Sequence, residues 1–141
     1  MRSIRVLVID DSLTMRAIME SILGRHADFE IIGLASDVEE AKVFLEEHKP
    51  DVITLDLALP GVDGMEFLEE LAKGMHPPVV VVSSSTKDKS EKSKAVIKAG
   101  AVGCFDKARL VQDAPRFVRV MRRAFEKRHG AMAPAPQLHE A

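Results

Sequence analysis

The sequence predicts an α/β fold, a doubly wound parallel sheet with helices on both faces. Five short β-rich runs alternate along the chain with segments in which apolar residues recur at helical spacing. The β-rich runs are apolar almost throughout rather than at every second position, which is typical of strands covered on both faces. The length of 141 residues fits one domain.

Each predicted element is bounded by residues that start or stop secondary structure. Ser12 and Asp37 are the predicted N-caps of the first and second helices, and Gly100 ends the fourth helix, predicted over 89–99. The predicted strands are 5–9, 29–34, 52–55, 79–82 and 102–105. The apolar stripes of the other helices are Met15, Ile18, Met19, Ile22 and Leu23; Ala41, Phe44 and Leu45; Leu68, Leu71, Ala72 and Met75; and Phe117, Val120, Met121, Ala124 and Phe125.

Right-handed crossovers between parallel strands leave few arrangements for five strand–helix units. We predict the flavodoxin-like strand order 2-1-3-4-5, which makes strands 1 and 3 neighbours and places ligands at their carboxyl ends. The predicted domain covers residues 1–130. Residues 131–141 are rich in Ala and Pro and lack periodicity, which predicts a flexible tail or a truncated linker.

The composition excludes several classes of protein. Apolar residues make up 46% and charged residues 30%, and no apolar run approaches the length of a membrane span. Cys104 is the one cysteine, so the chain forms no internal disulfide and no cysteine zinc cluster. Aromatic residues are scarce, with no Trp or Tyr, which disfavours base-stacking nucleic-acid modules. We therefore expect a cytoplasmic protein without a membrane or nucleic-acid partner.

The net charge of −2 hides an uneven distribution. Residues 1–76 carry 7 Lys and Arg against 16 Asp and Glu, whereas residues 77–141 carry 13 against 6. One interpretation is that helix faces of opposite sign are simply solvated. The other is a cation site on the acidic side and a docking face on the basic side.

Three carboxylates follow neighbouring strands of the predicted sheet. Asp10 and Asp11 come after strand 1, and Asp56 comes after strand 3. Two carboxylates about 5 Å apart repel by about 3 kcal/mol at an effective dielectric constant near 20, so a cation is expected between them. Because all the ligands are oxygen atoms, Mg²⁺ is favoured, with Mn²⁺ as a substitute.

A hydroxyl and an ammonium group are predicted at the ends of the remaining two strands. Ser83 ends strand 4 and Lys107 follows strand 5. A metal ion and a lysine that neutralise charge, together with a serine that donates a hydrogen bond, suit a phosphoryl group.

These residues lie in motifs that resemble the receiver domain of bacterial two-component response regulators, over residues 4–128. The motifs are Ile9-Asp10-Asp11-Ser12, the run 56–64, Val82-Ser83-Ser84, Gly100-Ala101 and Asp106-Lys107. Chemotaxis receivers are the most similar, and the stretch 11–16 with Ser83-Ser84-Ser85-Thr86 resembles the receiver half of the chemotaxis methylesterase.

The resemblance implies a magnesium site. Asp11 would be a direct ligand and Asp10 would help through water. Asp56 and the backbone carbonyl of Ala58 would complete the protein's share of the ligands.

The resemblance also implies a phosphoryl acceptor. Asp56 would take a phosphoryl group from a histidine kinase or phosphotransfer protein. Ser83 would move toward that group, and Lys107 would pair with Asp56 and then with the phosphate.

Two positions depart from the family pattern. Cys104 stands where the family usually has an aromatic switch residue, and Phe105 points to the opposite face of the strand. Ala108 stands where the family usually has a proline after a cis bond, so we predict a trans bond after Lys107. We expect activation to work mainly through the 83–92 loop and the fourth helix.

The function that these observations predict is that of a single-domain response regulator, a monomer or weak homodimer. It would catalyse only its own phosphoryl transfer and dephosphorylation. Its output would be binding of a downstream protein through the face formed by helix 4, strand 5 and helix 5, with helix 1 facing the kinase. One alternative is the receiver of a multidomain regulator such as the chemotaxis methylesterase. A more remote one is a Mg²⁺-dependent phosphatase with an aspartyl nucleophile, which would need an inserted cap that this chain lacks.

Overall fold

The computed structural model describes residues 3–74, 76–84 and 89–129. Five parallel strands form one sheet in the order β2-β1-β3-β4-β5, which confirms the predicted flavodoxin-like fold. The elements are β1 (Ile4–Ile9), α1 (Leu13–Gly24), β2 (Phe29–Ala35), α2 (Val38–His48), β3 (Val52–Leu55), α3 (Gly64–Ala72), β4 (Val79–Ser83), α4 (Lys89–Lys98), β5 (Gly103–Asp106) and α5 (Ala114–His129). A 3₁₀ turn, Lys107–Arg109, joins β5 to the segment before α5.

Both faces of the sheet are buried, which explains why the strands are apolar almost throughout. Successive side chains of a strand point to opposite faces: in β1, Val6 and Val8 belong to one cluster of buried residues, whereas Leu7 and Ile9 belong to the other. α1 and α5 cover the first face, and α2, α3 and α4 cover the second. Residues of these helices that are buried in the two clusters include Met15, Met19, Phe117 and Met121 on the first face, and Ala41, Phe67, Leu68 and Val96 on the second.

The predicted N-caps of α1 and α2 are present in the structure, and they explain where these helices begin. The Ser12 hydroxyl accepts a hydrogen bond from the backbone N–H of Met15 at 3.1 Å, and the Asp37 carboxylate accepts one from Glu40 at 2.8 Å. Gly100 has φ +121°, a conformation that favours glycine, and ends the fourth helix as predicted.

Several strand ends differ from the prediction by one residue. β5 begins at Gly103, because Gly103 pairs with Val80 and the register continues to Asp106 opposite Ser83. The apolar pattern does not mark this start, since glycine is a poor strand former. Met75 of the helical stripe, residues 85–88 of the 83–92 loop and the predicted tail at 131–141 lie outside the described residues. The predictions made for them stay untested. No helix in the described part of the chain combines the length and the apolar character needed to span a membrane.

Candidate phosphoryl-acceptor site

Two buried carboxylates follow the adjacent strands β1 and β3. Asp10 and Asp56 are each 2% exposed. The backbone N–H of Asp56 donates to the carbonyl of Ile9 at 2.9 Å, which extends the sheet pairing to the site. The turns after the strands orient the side chains: Asp10 accepts from the Ser12 N–H at 2.8 Å, and Asp56 accepts from the Ala58 N–H at 3.0 Å. The backbone thus fixes both carboxylates before any ligand binds.

Asp11 joins these two carboxylates and is exposed to solvent. One oxygen of each of the three side chains lies within 4.8 Å of the others. Opposite ligands of a Mg²⁺ ion are about 4 Å apart, since each bond is about 2.1 Å long. The cluster therefore needs only small side-chain adjustments to hold such an ion, and its oxygen atoms are the ligands that Mg²⁺ prefers.

Lys107 enters the cluster from the 3₁₀ turn that follows β5. Its Nζ lies 2.8 Å from Asp56 Oδ2 and 3.1 Å from Asp10 Oδ2. Burial by itself would lower the pKa of Lys107, but the hydrogen bonds to Asp56 and Asp10 outweigh burial and raise it. The ammonium group is therefore fully charged at neutral pH.

Lys107 does not balance the negative charge that it contacts. Burial raises the pKa of Asp10, even though the N–H of Ser12 and the ammonium of Lys107 both act to lower it. The charge of Asp56 adds to the rise. One lysine stands against three carboxylates, so the electrostatics of the cluster favour a further cation.

Ser83 borders the cluster on the side of β4. It is 4% exposed, and its hydroxyl donates to Asp56 Oδ1 at 3.4 Å. The structure thus brings all the predicted side chains, Asp10, Asp11, Asp56, Ser83 and Lys107, to one edge of the sheet.

One further side chain reaches this edge that the sequence did not single out. Lys92 extends from α4 and donates to the hydroxyl of Ser83 at 3.4 Å and to the backbone carbonyl of Ser84. In the sequence, Lys92 belongs to a run of lysines on the fourth helix, which favoured a docking face. Nothing in that run separates Lys92 from its neighbours.

The loop that contains Ala58 packs closely against the start of α3. A Cβ added to Gly64 would lie 2.3 Å from the carbonyl oxygen of Leu57 and 2.4 Å from its Cα. Since no real side-chain carbon approaches backbone so closely, position 64 must be glycine for the loop to keep this path. Asp63 caps α3 beside it by accepting from the N–H of Met65 at 2.9 Å.

Cys104 and Phe105 point to opposite faces of β5, as predicted. Phe105 is buried against Phe117, with ring centroids 5.3 Å apart, and the guanidinium of Arg116 lies 4.6 Å from its ring. Cys104 is partly buried on the other face, and burial raises the pKa of its thiol. Phe105 is therefore part of the core and does not replace an aromatic residue at position 104.

The peptide bond after Lys107 is trans, as predicted, and so is every other bond that the structure describes. Asp106 caps the turn instead, accepting from the N–H of Ala108 at 3.0 Å. The turn that presents Lys107 is thus held by a side-chain hydrogen bond.

Comparisons with known proteins agree with this geometry. The family model of the response regulator receiver domain matches residues 6–109. The response regulator domain of Thermotoga maritima CheB superposes with a TM-score of 0.79 at 34% identity, covering 89% of this chain and 98% of that domain.

The curated relatives are longer proteins. A protein-glutamate methylesterase/protein-glutamine glutaminase of Caulobacter vibrioides is 41% identical over 107 residues, which are 76% of this chain and 31% of the relative. A protein of the same description from Bordetella pertussis is 35% identical over 141 residues, covering 96% of this chain and 40% of the relative. The chain thus spans between 31% and 40% of the length of these relatives. This pattern favours the receiver of a methylesterase over a single-domain regulator.

Proposed function

Since this chain belongs to the family of response regulator receiver domains, we propose that Asp56 accepts a phosphoryl group from a histidine kinase or phosphotransfer protein. One observation carries the proposal. Asp56 is a buried carboxylate that clusters with Asp10 and Asp11 and is contacted directly by Lys107 and Ser83. Buried carboxylates that exceed their cations in number form a poor structural ion pair but a good site for a divalent cation and a phosphoryl group.

The chemistry follows from the groups at this edge. An oxygen of Asp56 attacks phosphorus and forms an acyl phosphate. The bond from phosphorus to the donor's histidine nitrogen breaks, and its electron pair leaves with the imidazole. A magnesium ion held by Asp10, Asp11, Asp56 and the Ala58 carbonyl would offset the carboxylate charge that otherwise repels the incoming phosphate.

Lys107 and Ser83 then act on the new phosphoryl group. Lys107 donates to Asp56 in the unmodified protein, and the same ammonium can donate to a phosphoryl oxygen once the acyl phosphate has formed. Ser83 already points its hydroxyl at Asp56, so a short movement brings it to the phosphoryl group. Ser83 is the last residue of β4, and Lys107 lies in the 3₁₀ turn that follows β5. Movements of these two residues would carry the change toward α4 and α5.

For the output, we propose control of a methylesterase unit of the kind found in the relatives, because this receiver is similar to methylesterases over 76–96% of its length and to the receiver of a CheB protein over 89% of it. Partner contact through the face of α4, β5 and α5, a monomeric or weakly dimeric state and a cytoplasmic location are parts of the same proposal. A stand-alone regulator remains the alternative with less support from the comparisons.

The phosphoacceptor is tested by labelling the chain with acetyl phosphate. Intact-mass analysis should show one added phosphoryl group that requires Mg²⁺, disappears with EDTA and is released by hydroxylamine, as an acyl phosphate is. Borohydride trapping should place it on Asp56. A label on Ser83 or Ser84 would overturn the mechanism.

The output is tested with a chimera in which this chain replaces the corresponding receiver of the Caulobacter vibrioides relative. Hydrolysis of receptor glutamate methyl esters should increase when acetyl phosphate and Mg²⁺ are added. The matched control is the same chimera with Asp56→Asn, whose activity should not respond. A chimera that labels at Asp56 without any change in activity would contradict the output and leave the phosphoacceptor intact.

A further inference from the structure

The side chain of Lys92 connects α4 to Ser83, which borders the carboxylate cluster. Its Nζ donates to the hydroxyl oxygen of Ser83 at 3.4 Å and to the backbone carbonyl of Ser84. Lys92 is partly buried, unlike the exposed Lys94 two residues further along the same helix. The contact joins a helix to the residue that lies between that helix and Asp56.

The chemistry of the two groups gives this contact a direction. An ammonium group has three donors and no acceptor, whereas a serine hydroxyl has one proton and two lone pairs. Ser83 Oγ must therefore accept from Lys92, and its only proton remains for another partner. That partner is Asp56 Oδ1, 3.4 Å from Ser83 Oγ. The three residues form one directed series, from Lys92 to Ser83 to Asp56.

We propose that Lys92 is a positioning residue that holds the Ser83 hydroxyl with its proton aimed at Asp56. The proposal rests on the function proposed above, since it assigns to Lys92 the preparation of a group that contacts the phosphoryl acceptor. Lys92 acts through Ser83, in contrast to Lys107, whose Nζ contacts Asp56 directly at 2.8 Å. The second bond, to the carbonyl of Ser84, fixes the start of the loop that follows β4.

A second observation relates Lys92 to β5. Its charge acts on the thiol of Cys104, where it opposes the rise in pKa that burial causes. Lys92 thus acts on groups of both β4 and β5. A phosphoryl group on Asp56 that attracts Ser83 would also change the contact between Ser83 and Lys92. That contact links α4 to the phosphorylation state of Asp56.

The test is a double-mutant cycle on the rate at which acetyl phosphate labels the full chain with Mg²⁺ present. Lys92→Met should lower the initial rate about three- to tenfold, the factor to which a hydrogen bond of ordinary strength converts. The control Lys94→Met removes an exposed lysine from the same helix and should leave the rate unchanged. In a Ser83→Ala background, Lys92→Met should have no further effect, because the group that Lys92 positions is gone.

Lys92→Arg provides the rescue, because it keeps the charge and the N–H donors and should restore at least half of the rate. A Lys92→Met variant as fast as the parent, an equal loss in the Ser83→Ala background, or a Lys92→Arg variant as slow as Lys92→Met would each overturn the inference. A merely structural effect on α4 would give the equal loss. A parent chain that takes no label at all would instead overturn the proposed function, so the two failures are distinguishable.

Discussion

The two edges of the sheet use aspartate in opposite ways. At the amino edge, Asp28 precedes β2 and is held by the guanidinium of Arg122 through two hydrogen bonds of 2.8 and 3.1 Å. This contact lowers the pKa of Asp28. At the carboxyl edge, Asp10 shares Lys107 with Asp56, and burial raises the pKa of Asp10. The carboxylate at one edge stabilises the fold, whereas those at the other edge lack enough positive charge.

The difference between the two edges shows where carboxylates outnumber the cations that contact them. A parallel sheet brings all its strand ends together at each edge, so either edge could collect carboxylates. At the amino edge, Asp51 is also buried and accepts from the backbone N–H of Arg5 at 2.9 Å. Asp28 and Asp51 are thus each held by a donor at the amino edge. Within the described part of the chain, the group of three carboxylates lies at the other edge, where Asp10, Asp11 and Asp56 meet.

The largest expected effect comes from replacing Asp56 in the cluster at the carboxyl edge. Asp56→Asn removes the proposed nucleophile and should abolish labelling by acetyl phosphate, since a neutral amide does not attack phosphorus. Intact-mass analysis over the labelling time course checks this. Residual label at the parental rate would show that the acceptor lies elsewhere.

Removing the exposed carboxylate of the cluster should have the next largest effect. Asp11→Asn should reduce Mg²⁺-dependent labelling to the level seen with EDTA, because the ion loses a charged oxygen ligand. Glu69→Gln, which removes an exposed carboxylate from α3, is the control and should label normally. If both variants label alike across a Mg²⁺ titration, Asp11 is not a ligand.

Lys107→Met should expose the charge imbalance as a loss of stability. Without Mg²⁺, the free energy of unfolding should fall by about 3 kcal/mol, because two buried carboxylates lose their shared cation. Saturating Mg²⁺ should restore most of this, since an ion that binds only the folded state stabilises it. Urea unfolding with and without Mg²⁺ measures both values.

The control for Lys107 is Lys42→Met, which breaks the exposed ion pair with Glu70. It should change the free energy of unfolding by less than about 0.5 kcal/mol, with or without Mg²⁺. If Lys107→Met changes the free energy of unfolding as little as Lys42→Met does, the buried ion pairs of Lys107 contribute no more stability than the exposed pair of Lys42.

The smallest expected effect concerns the amino edge and depends on pH. Asp28→Asn should lower the free energy of unfolding by about 0.5–1 kcal/mol at neutral pH, a value limited by the partial exposure of the pair. The folded pKa of Asp28 lies below its ordinary value of 3.8. Its stabilising contribution is therefore complete above 3.8 and is lost as the pH falls through the folded pKa.

Urea unfolding of Asp28→Asn and the parent chain from neutral pH down to about pH 2.5 measures this dependence. The difference between the two should shrink only at the acidic end. A difference that stays constant over the whole range would show that the charge of Asp28 contributes nothing.

Much of this arrangement was predictable, because burial pattern and strand order determine it. Once β1 and β3 are neighbours, Asp10, Asp11 and Asp56 must meet, and Ser83 and Lys107 follow from the ends of β4 and β5. The contact from Lys92 to Ser83 was not predictable. The contact depends on the conformation of the long Lys92 side chain, which cannot be predicted from its position in the sequence.

The same limit applies to the finer contacts of Lys107. Its pairing with Asp56 follows from family resemblance, but its second ion pair, with Asp10, was not predicted. That approach depends on the 3₁₀ turn that Asp106 caps, a local detail that the apolar pattern does not encode.

Gly64 shows that a residue without a reactive side chain can be as intolerant of substitution as the phosphoryl acceptor proposed at Asp56. In a saturation screen scored by Asp56 labelling, every substitution at Gly64 would place a Cβ within 2.3 Å of the Leu57 carbonyl. The loop between Leu57 and α3 would have to move, and Ala58, whose N–H orients Asp56, would move with it. A ranking by tolerance alone would therefore list Gly64 beside the nucleophile. A concentration series distinguishes the two positions. Labelling of Gly64→Ala should rise with the concentrations of Mg²⁺ and acetyl phosphate, whereas no concentration should restore labelling of Asp56→Asn.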